Sequence, residues 1–320
     1  MNTEILTKIH ETIQAYKTII ICPHKRPDGD CMGTAFGLQD MIQSTWPDKQ
    51  VYVSGEESEY VKFLGTPDTI DDSVFTGALV IAVDTAAEDR IAERRYAQGD
   101  LLIKIDHHLN VNPYGDIEYV DTTRPAAALI ILDLYRLFKD VYTLTEKGVR
   151  ALYTGTLTDT GRFKYPGVDG DTFRNIAMLY DLGLDAQSVY AQLDTKSEAL
   201  VRFKGYVLLN YQKTPNGVAY IEMTDTLIAD YGVTIEDASS LVNELSVFED
   251  CPVWVLLAEY EEQIVRARIR SKGPAINEIA NQFDGGGHPM ACGANLGTWT
   301  RAKELLVALD AHVKAYKASK

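Results

Sequence analysis

The sequence predicts an α/β protein: an N-terminal doubly wound domain on a parallel sheet, then a smaller C-terminal α/β domain with a mixed sheet. Three observations carry this. Short, wholly apolar, β-branched runs alternate with longer amphipathic stretches through the first half, as in βαβ units whose strands are buried on both faces. Beyond a helical stretch near residue 200 the pattern changes to that of a sheet with one exposed face. The chain also has 320 residues, 46% hydrophobic and 24% charged. That is long for one domain, comfortable for two, and rich enough in apolar material to exclude disordered and fibrous classes.

In chain order, residues 1–18 mix both charges with apolar residues at helical spacing. They read as an amphipathic helix, without the uninterrupted apolar stretch of a signal peptide. Residues 18–22 (TIIIC), 78–83 (ALVIAV) and 101–105 (LLIKI) are the buried strands, with helices expected at 33–43 and 87–97 between them. Further helices are expected at 129–138 and 145–156. A helical stretch at 185–210 looks like a connector, so the domains are placed at 1–188 and 213–320 with the connector at 189–212. In the second domain, 217–223, 252–259 and 264–269 read as strands and 239–245 and 276–283 as helices. A Gly285-Gly286-Gly287-His288 loop and a last helix at 300–316 complete the chain.

Acidic residues outnumber basic ones, 46 to 31, for a formal charge of −15. A chain this acidic lacks the basic footprint that long duplex nucleic acid requires, but it can take a small anion into a local pocket. The 4 cysteines form no C-x-x-C pair and read as free thiols of a reducing compartment. No apolar run approaches the roughly 20 residues that span a bilayer. The expectation is a cytoplasmic protein with no membrane partner.

The strand ends carry the chemistry. The first strand runs into Pro23-His24-Lys25-Arg26-Pro27-Asp28-Gly29-Asp30, the second into Asp84-Thr85, the third into Asp106-His107-His108, and a helix ending near residue 157 delivers Asp159. In open α/β sheets ligands bind beyond the carboxyl ends of the strands, so these groups converge on one edge. A single histidine near an aspartate is ordinarily a hydrogen-bonded structural residue; the group together is not. Carboxylates that close either bind protons or bind cations, and no matching set of Lys or Arg accompanies them. Several carboxylates with imidazoles and no thiolate favour Mn²⁺ over structural zinc. The ligands are too many for one ion and suit two, bridged by a carboxylate, which is the chemistry of phosphoester hydrolysis.

In the second domain Arg266, Arg268 and Arg270 alternate with Val265, Ala267 and Ile269, which puts the three guanidinium groups on one strand face. The glycines before His288 let backbone N–H groups approach an anion. Arg162, Phe163 and Tyr165 come just after Asp159 and can stack a nucleobase or hold a phosphate; the alternative is core packing for Phe163 and a surface position for Arg162.

His24-x-x-x-Asp28-x-Asp30, then Asp84, Asp106-His107-His108 and Asp159, resembles the motif series of the DHH phosphoesterase superfamily. Gly285 to His288, preceded by Arg268-Ile269-Arg270-Ser271, resembles its DHH-associated substrate domain. The motifs cover most of the chain, and length and domain order resemble the stand-alone nanoRNase/pAp-phosphatase members. The resemblance implies that His24 and Asp28 hold one metal, that Asp30, His107 and Asp159 hold the other, and that Asp84 bridges. It implies that His108 contacts the scissile phosphate, that Asp106 orients it, and that Arg268, Arg270, Ser271, Gly286, Gly287 and His288 grip substrate across an interdomain cleft. The implied substrates are short oligoribonucleotides and pAp, with two divalent cations, Mn²⁺ foremost; a homodimer is left open. A cyclic di-AMP or pApA phosphodiesterase is the alternative, with a single-strand DNA exonuclease and a non-catalytic nucleotide sensor behind it. The chain departs from the usual pattern in having Pro289 and Met290 rather than a basic residue after His288, and Ala126 and Ala127 where relatives often carry Ser or Thr.

Overall fold

The computed structural model describes residues 2–260 and 263–319. The chain divides into two units, Met1–Thr195 and Lys196–Lys320.

In the first unit the apolar runs form a sheet of β1 (Thr18–Cys22), β2 (Gln50–Val53), β3 (Leu79–Val83), β4 (Leu101–Asp106) and β5 (Ile117–Val120), ordered β2-β1-β3-β4-β5. All neighbours are parallel. The helices are α1 (Thr3–Ala15), α2 (Gly29–Thr45), α3 (Ala127–Leu137), α4 (Glu146–Asp159), α5 (Gly170–Asp181) and α6 (Ala186–Asp194). Because successive strand residues point to opposite faces, Ile19, Ile21, Leu79, Ile81 and Ile103 meet the helices, while Ile20, Cys22, Val80 and Ala82 enter a smaller cluster with Ile70, Phe75, Ile91 and Tyr114. The short strands β2 and β5 were not among the sequence expectations.

The helix expected at 87–97 does not form. Only two 3₁₀ turns, Glu88–Arg90 and Tyr96–Gln98, lie there. Tertiary bonds claim the backbone: Lys25 N–H donates to Arg90 O at 2.7 Å and Ala92 N–H to Pro23 O at 3.0 Å. Glu93 is buried and paired with Arg95. The segment becomes a strap across the His24 loop, where His24 and Ile91 form an isolated bridge.

The second unit contains α7 (Glu198–Asn210), β6 (Gln212–Lys213), β7 (Val218–Met223), α8 (Asp225–Asp230), α9 (Ile235–Ser240), β8 (Val253–Tyr260), β9 (Ile264–Ser271), α10 (Asn277–Asn281), β10 (Gly285–His288), β11 (Ala291–Gly297) and α11 (Trp299–Ala318). The sheet runs β10-β11-β9-β8-β7-β6, with β7 and β8 parallel and the other pairs antiparallel. The expected one-sided sheet needs correction at β8. Val253, Val255 and Leu257 pack with α11, and Trp254, Leu256 and Ala258 pack with α7 and α9, so both faces are covered. The stretch 189–212 read as a connector holds the end of α6, which packs in the first unit, and α7, whose Leu200, Phe203 and Val207 belong to the core of the second. Among the described residues no helix is long and apolar enough to cross a membrane.

Candidate metal centre

The site is built at the carboxyl ends of β1, β3 and β4 and at the end of α4. Asp28 caps α2, its Oδ1 accepting the N–H groups of Asp30 at 3.1 Å and Cys31 at 3.0 Å. Asp30 lies in the first turn of that helix and reaches sideways to a second one. Its Oδ2 accepts the Ala127 N–H and its Oδ1 the Ala128 N–H at 3.0 Å, so it caps α3 from outside, where the chain's own N-cap is Ala126. The helices α2 and α4 approach closely because Gly33 has no side chain; a Cβ there would stand 2.5 Å from Ala151 O. That contact brings Asp159, the last residue of α4, to the same place as Asp30.

Asp84 leaves β3 in the left-handed region, at φ 51°. Aspartate tolerates this conformation better than most residues, and it turns the carboxylate inward. The two oxygens of Asp84 face different partners. Oδ2 lies 3.7 Å from His24 Nε2, which is 3.9 Å from Asp28 Oδ2. Oδ1 lies 3.3 Å from His107 Nε2, which is 3.5 Å from Asp159 Oδ2 and 3.9 Å from Asp30 Oδ2. The ring orientations are set from behind: His24 Nδ1 faces Lys25 O at 2.9 Å and His107 Nδ1 faces Arg124 O at 3.1 Å, leaving both Nε2 atoms toward the carboxylates. This is the arrangement in which a backbone carbonyl fixes the tautomer of a metal-binding imidazole.

Burial, reinforced by the charges of neighbouring carboxylates, raises the pKa of Asp84 well above the usual range and raises that of Asp30. Burial and then Asp30 push Asp159 up to about 7. Burial opposes the charge on His107, but the close approach of Asp84 and the charges of Asp30, Asp84 and Asp159 outweigh it and lift the pKa to about 10. The proton that His107 keeps at neutral pH therefore stands where a cation would take its place.

The donor set fits divalent cations. Asp84 Oδ1 is buried without a well-formed hydrogen bond among the described residues, despite the nearby imidazole. Three groups place ligand atoms within 4.8 Å of one another: Asp30, His107 and Asp159; Asp84, His107 and His108; and His24, Cys31 and Asp84. The sequence reading missed Cys31. Its thiol is fully buried, accepts the His24 N–H at 3.2 Å and donates to Val83 O at 3.8 Å, and burial followed by the charge of Asp84 raises its pKa well above the ordinary value. It is a protonated thiol beside the centre, so the donor set remains oxygen and nitrogen.

His108 borders the centre, its Nδ1 3.5 Å from Asp84 Oδ1. Its Nδ1 is 2.9 Å from Asp106 Oδ1, and its side chain is 34% exposed, the most open imidazole of the three. Burial favours a protonated Asp106, but the hydrogen bonds and charge of His108 prevail and hold its carboxyl below the usual range. One basic side chain does lie beside these groups: Lys104, in the middle of β4, is fully buried, with Nζ 3.8 Å from Asp106 Oδ2. A lysine inside an otherwise apolar strand run was the available signal.

The residues after Asp159 turn sharply, with Gly161, Arg162 and Phe163 all at positive φ. Phe163 is half-buried and packs on the core beside Tyr153 and Phe173, at ring distances of 6.3 and 5.4 Å. Arg162 is paired with Asp194 and lies over the Tyr190 ring.

In the second unit Arg266, Arg268 and Arg270 do share a face of β9. Arg266 covers Tyr260, Arg270 donates to Ile269 O and Cys292 O, and Arg268 is exposed. The expected glycine loop is the edge strand β10. Gly286, Gly293 and Arg268 form one lateral row, and His288, Ala291 and Arg270 the next, so His288 and the arginines lie on one face. The glycine at 287 is needed by the backbone itself: φ is +135° and a Cβ would lie 2.5 Å from Ala291 O. Ser271 points to the opposite face, its hydroxyl donating to Pro274 O at 2.6 Å within a turn, and it does not join the row.

A parallel α/β sheet that delivers carboxylates and imidazoles in two groups around one shared aspartate defines a candidate two-metal centre. The family models agree with it. Residues 18–156 match the DHH family N-terminal domain and residues 216–315 the DHHA1 domain. The bifunctional oligoribonuclease and PAP phosphatase NrnA of Bacillus subtilis is 35% identical, over 97% of this chain and 99% of that protein. A probable enzyme of the same name from Streptococcus mutans is 38% identical, over 88% and 91%. The crystal structure of an exopolyphosphatase-related protein from Bacteroides fragilis superposes with a TM-score of 0.88 at 25% identity, covering 98% of both chains. The chain belongs to the DHH family and is a phosphoesterase.

Proposed function

We propose that this chain hydrolyses short oligoribonucleotides to mononucleotides and removes phosphate from pAp, using two divalent cations, Mn²⁺ foremost. The observation that carries the reading is the division at Asp84, whose two oxygens face two different imidazoles, His107 at 3.3 Å and His24 at 3.7 Å, each beside further carboxylates. The names of the B. subtilis and S. mutans relatives supply the substrate class.

In this reading His24, Asp28 and Asp84 hold one cation and Asp30, Asp84, His107 and Asp159 the other. A bound pair activates the attacking water and neutralises charge on the phosphoryl oxygens. The chain's own residues do the rest. Asp106 accepts the His108 Nδ1–H, so a doubly protonated ring turns its Nε2–H toward the phosphate, and giving that proton to the leaving oxygen leaves the neutral Nδ1–H tautomer. Arg268, Arg270 and His288 supply cationic and donor groups for a terminal phosphate. The acidic surface elsewhere disfavours long polyanions.

The test is a panel of pAp, two- to five-residue RNA, pApA and cyclic di-AMP with Mn²⁺, Mg²⁺ and Co²⁺, and an EDTA control. The reading predicts mononucleotides from short RNA and phosphate from pAp, abolished by EDTA. Turnover confined to cyclic di-AMP or pApA, or undiminished in EDTA, would overturn it.

A further inference from the structure

Lys104 is a fully buried lysine on the turn-covered face of the parallel sheet. Its ammonium lies 4.4 Å over the Tyr114 ring, donates to Ala86 O at 3.1 Å and Asn110 Oδ1 at 3.0 Å, and stands 3.8 Å from Asp106 Oδ2. Tyr114 closes the lid by donating to Thr85 O at 2.7 Å. Three pieces of the site thus meet at one cation: the segment just past Asp84, the carboxylate that holds His108, and the turn after His108.

Packing alone does not call for a charge here. A methionine or leucine would fill the space, whereas burying an ammonium costs several kcal/mol unless its partners compensate. The two oxygens of Asp106 are held unequally. Asp106 Oδ2 has no hydrogen bond of its own among the described residues, while Oδ1 takes the N–H of His107 at 2.9 Å and the His108 Nδ1 at 2.9 Å. Without the Lys104 ammonium, Oδ2 loses the charge 3.8 Å away and the carboxylate is held through Oδ1 alone, which loosens its grip on the imidazole. Lys104 touches no candidate ligand atom, so its effect passes through Asp106.

We propose that Lys104 is a positioning residue: its buried charge locks Asp106 and the 106–110 turn so that His108 presents Nε2 to the substrate. This rests on the reading that His108 meets the phosphate.

The experiment is a double-mutant cycle of Lys104→Met and His108→Ala on pAp with saturating Mn²⁺, with bound Mn²⁺ measured by equilibrium dialysis. Lys104→Met is expected to lower kcat about 10- to 100-fold, the range for lost support of an active imidazole. KM and the bound Mn²⁺ are expected to stay within twofold. In the His108→Ala background the same substitution should cost less than twofold, because the residue it positions is gone. Lys104→Met losses that multiply those of His108→Ala, or that come with lost Mn²⁺, overturn the proposal and leave the metal centre standing. Full activity of His108→Ala removes the role of His108 itself and the proposal with it. If Lys104→Met does not fold, Lys104→Gln takes its place, and ¹⁵N spectra of the imidazoles give a readout apart from turnover. The His108 Nδ1–H tautomer should dominate in the wild type and give way to a mixture in the variant; an unchanged tautomer counts against the proposal.

Discussion

Asp30 and Ala127 stand far apart in the sequence, yet the carboxylate of one caps the helix that begins at the other, with Oδ2 taking the Ala127 N–H at 2.5 Å. The same oxygen lies 3.9 Å from His107 Nε2. One side chain therefore starts α3 and lines the metal centre, which explains why Ala126 and Ala127 serve at a helix start without a side-chain cap of their own. Asp30→Ala strands two buried donors and the Thr34 hydroxyl, which donates to Oδ1 at 3.2 Å. It should lower stability by about 1–3 kcal/mol. Urea unfolding in EDTA separates this loss from that of a bound cation; an unchanged midpoint would show that the cap contributes nothing.

Asp84→Asn should behave in the opposite way. Asparagine accepts the left-handed backbone at φ 51°, and the substitution removes a charge that burial and neighbouring carboxylates oppose. The metal-free protein should be as stable as the wild type or more so. Activity should fall at least about 100-fold if Asp84 is shared by both ion positions, as proposed. A scan in EDTA together with a Mn²⁺-dependent assay checks both halves; retained turnover removes the bridging role.

Protons and cations compete at this centre, and the sign is fixed by the raised carboxyls. Asp159 at about 7 binds its proton more tightly than an unfolded aspartate at about 4, so its contribution to metal-free stability falls as pH rises between those values. His107, raised to about 10, adds a contribution that is complete below about 6.5 and lost toward 10. Both slopes have the same sign. A divalent cation must displace these protons, so its affinity should rise with pH and its binding at about pH 6.5 should release protons. Calorimetry in two buffers of different ionisation heat counts them, and a heat independent of buffer would contradict the scheme.

The parallel sheet, its strand ends and the convergence of carboxylates and imidazoles there were legible because each depends on local pattern: a β-branched run, then a carboxylate or histidine. The features that escaped the sequence depend on contacts across the chain. The 87–97 strap has helical spacing, but its backbone is claimed by Pro23 and Lys25. The glycines of β10 suit an anion loop as well as an edge strand, and only pairing with β11 decides between them. The setting of Phe163 and Ser271 likewise depends on three consecutive left-handed residues and on strand alternation, which local pattern does not reveal.

Cys31 tests how the centre chooses its donors. The thiol is close enough to join His24 and Asp84 but is already hydrogen-bonded and held protonated. Cys31→Ala should keep Mn²⁺ binding and turnover within about threefold, the loss being confined to about 1–2 kcal/mol of stability from a small buried cavity. Loss of Mn²⁺ on the scale of an Asp84 substitution would make Cys31 a ligand.

Arg268 and Arg266 share a strand face but not an environment. Arg266 covers Tyr260 at 4.5 Å, so its guanidinium already has a platform. Arg268 stands in a row whose next two positions, Gly293 and Gly286, have no side chains, which leaves the space beside its guanidinium open to a phosphate. A charge-assisted hydrogen bond contributes about 1.5–3 kcal/mol, roughly 10- to 100-fold in affinity. Arg268→Ala should therefore raise KM for pAp by about that factor with kcat nearly unchanged, since the contact is the same in the ground and transition states. Arg266→Ala should change KM less than about threefold. Steady-state kinetics on both variants separate the two, and equal effects would show that the face binds by general charge rather than through the open row.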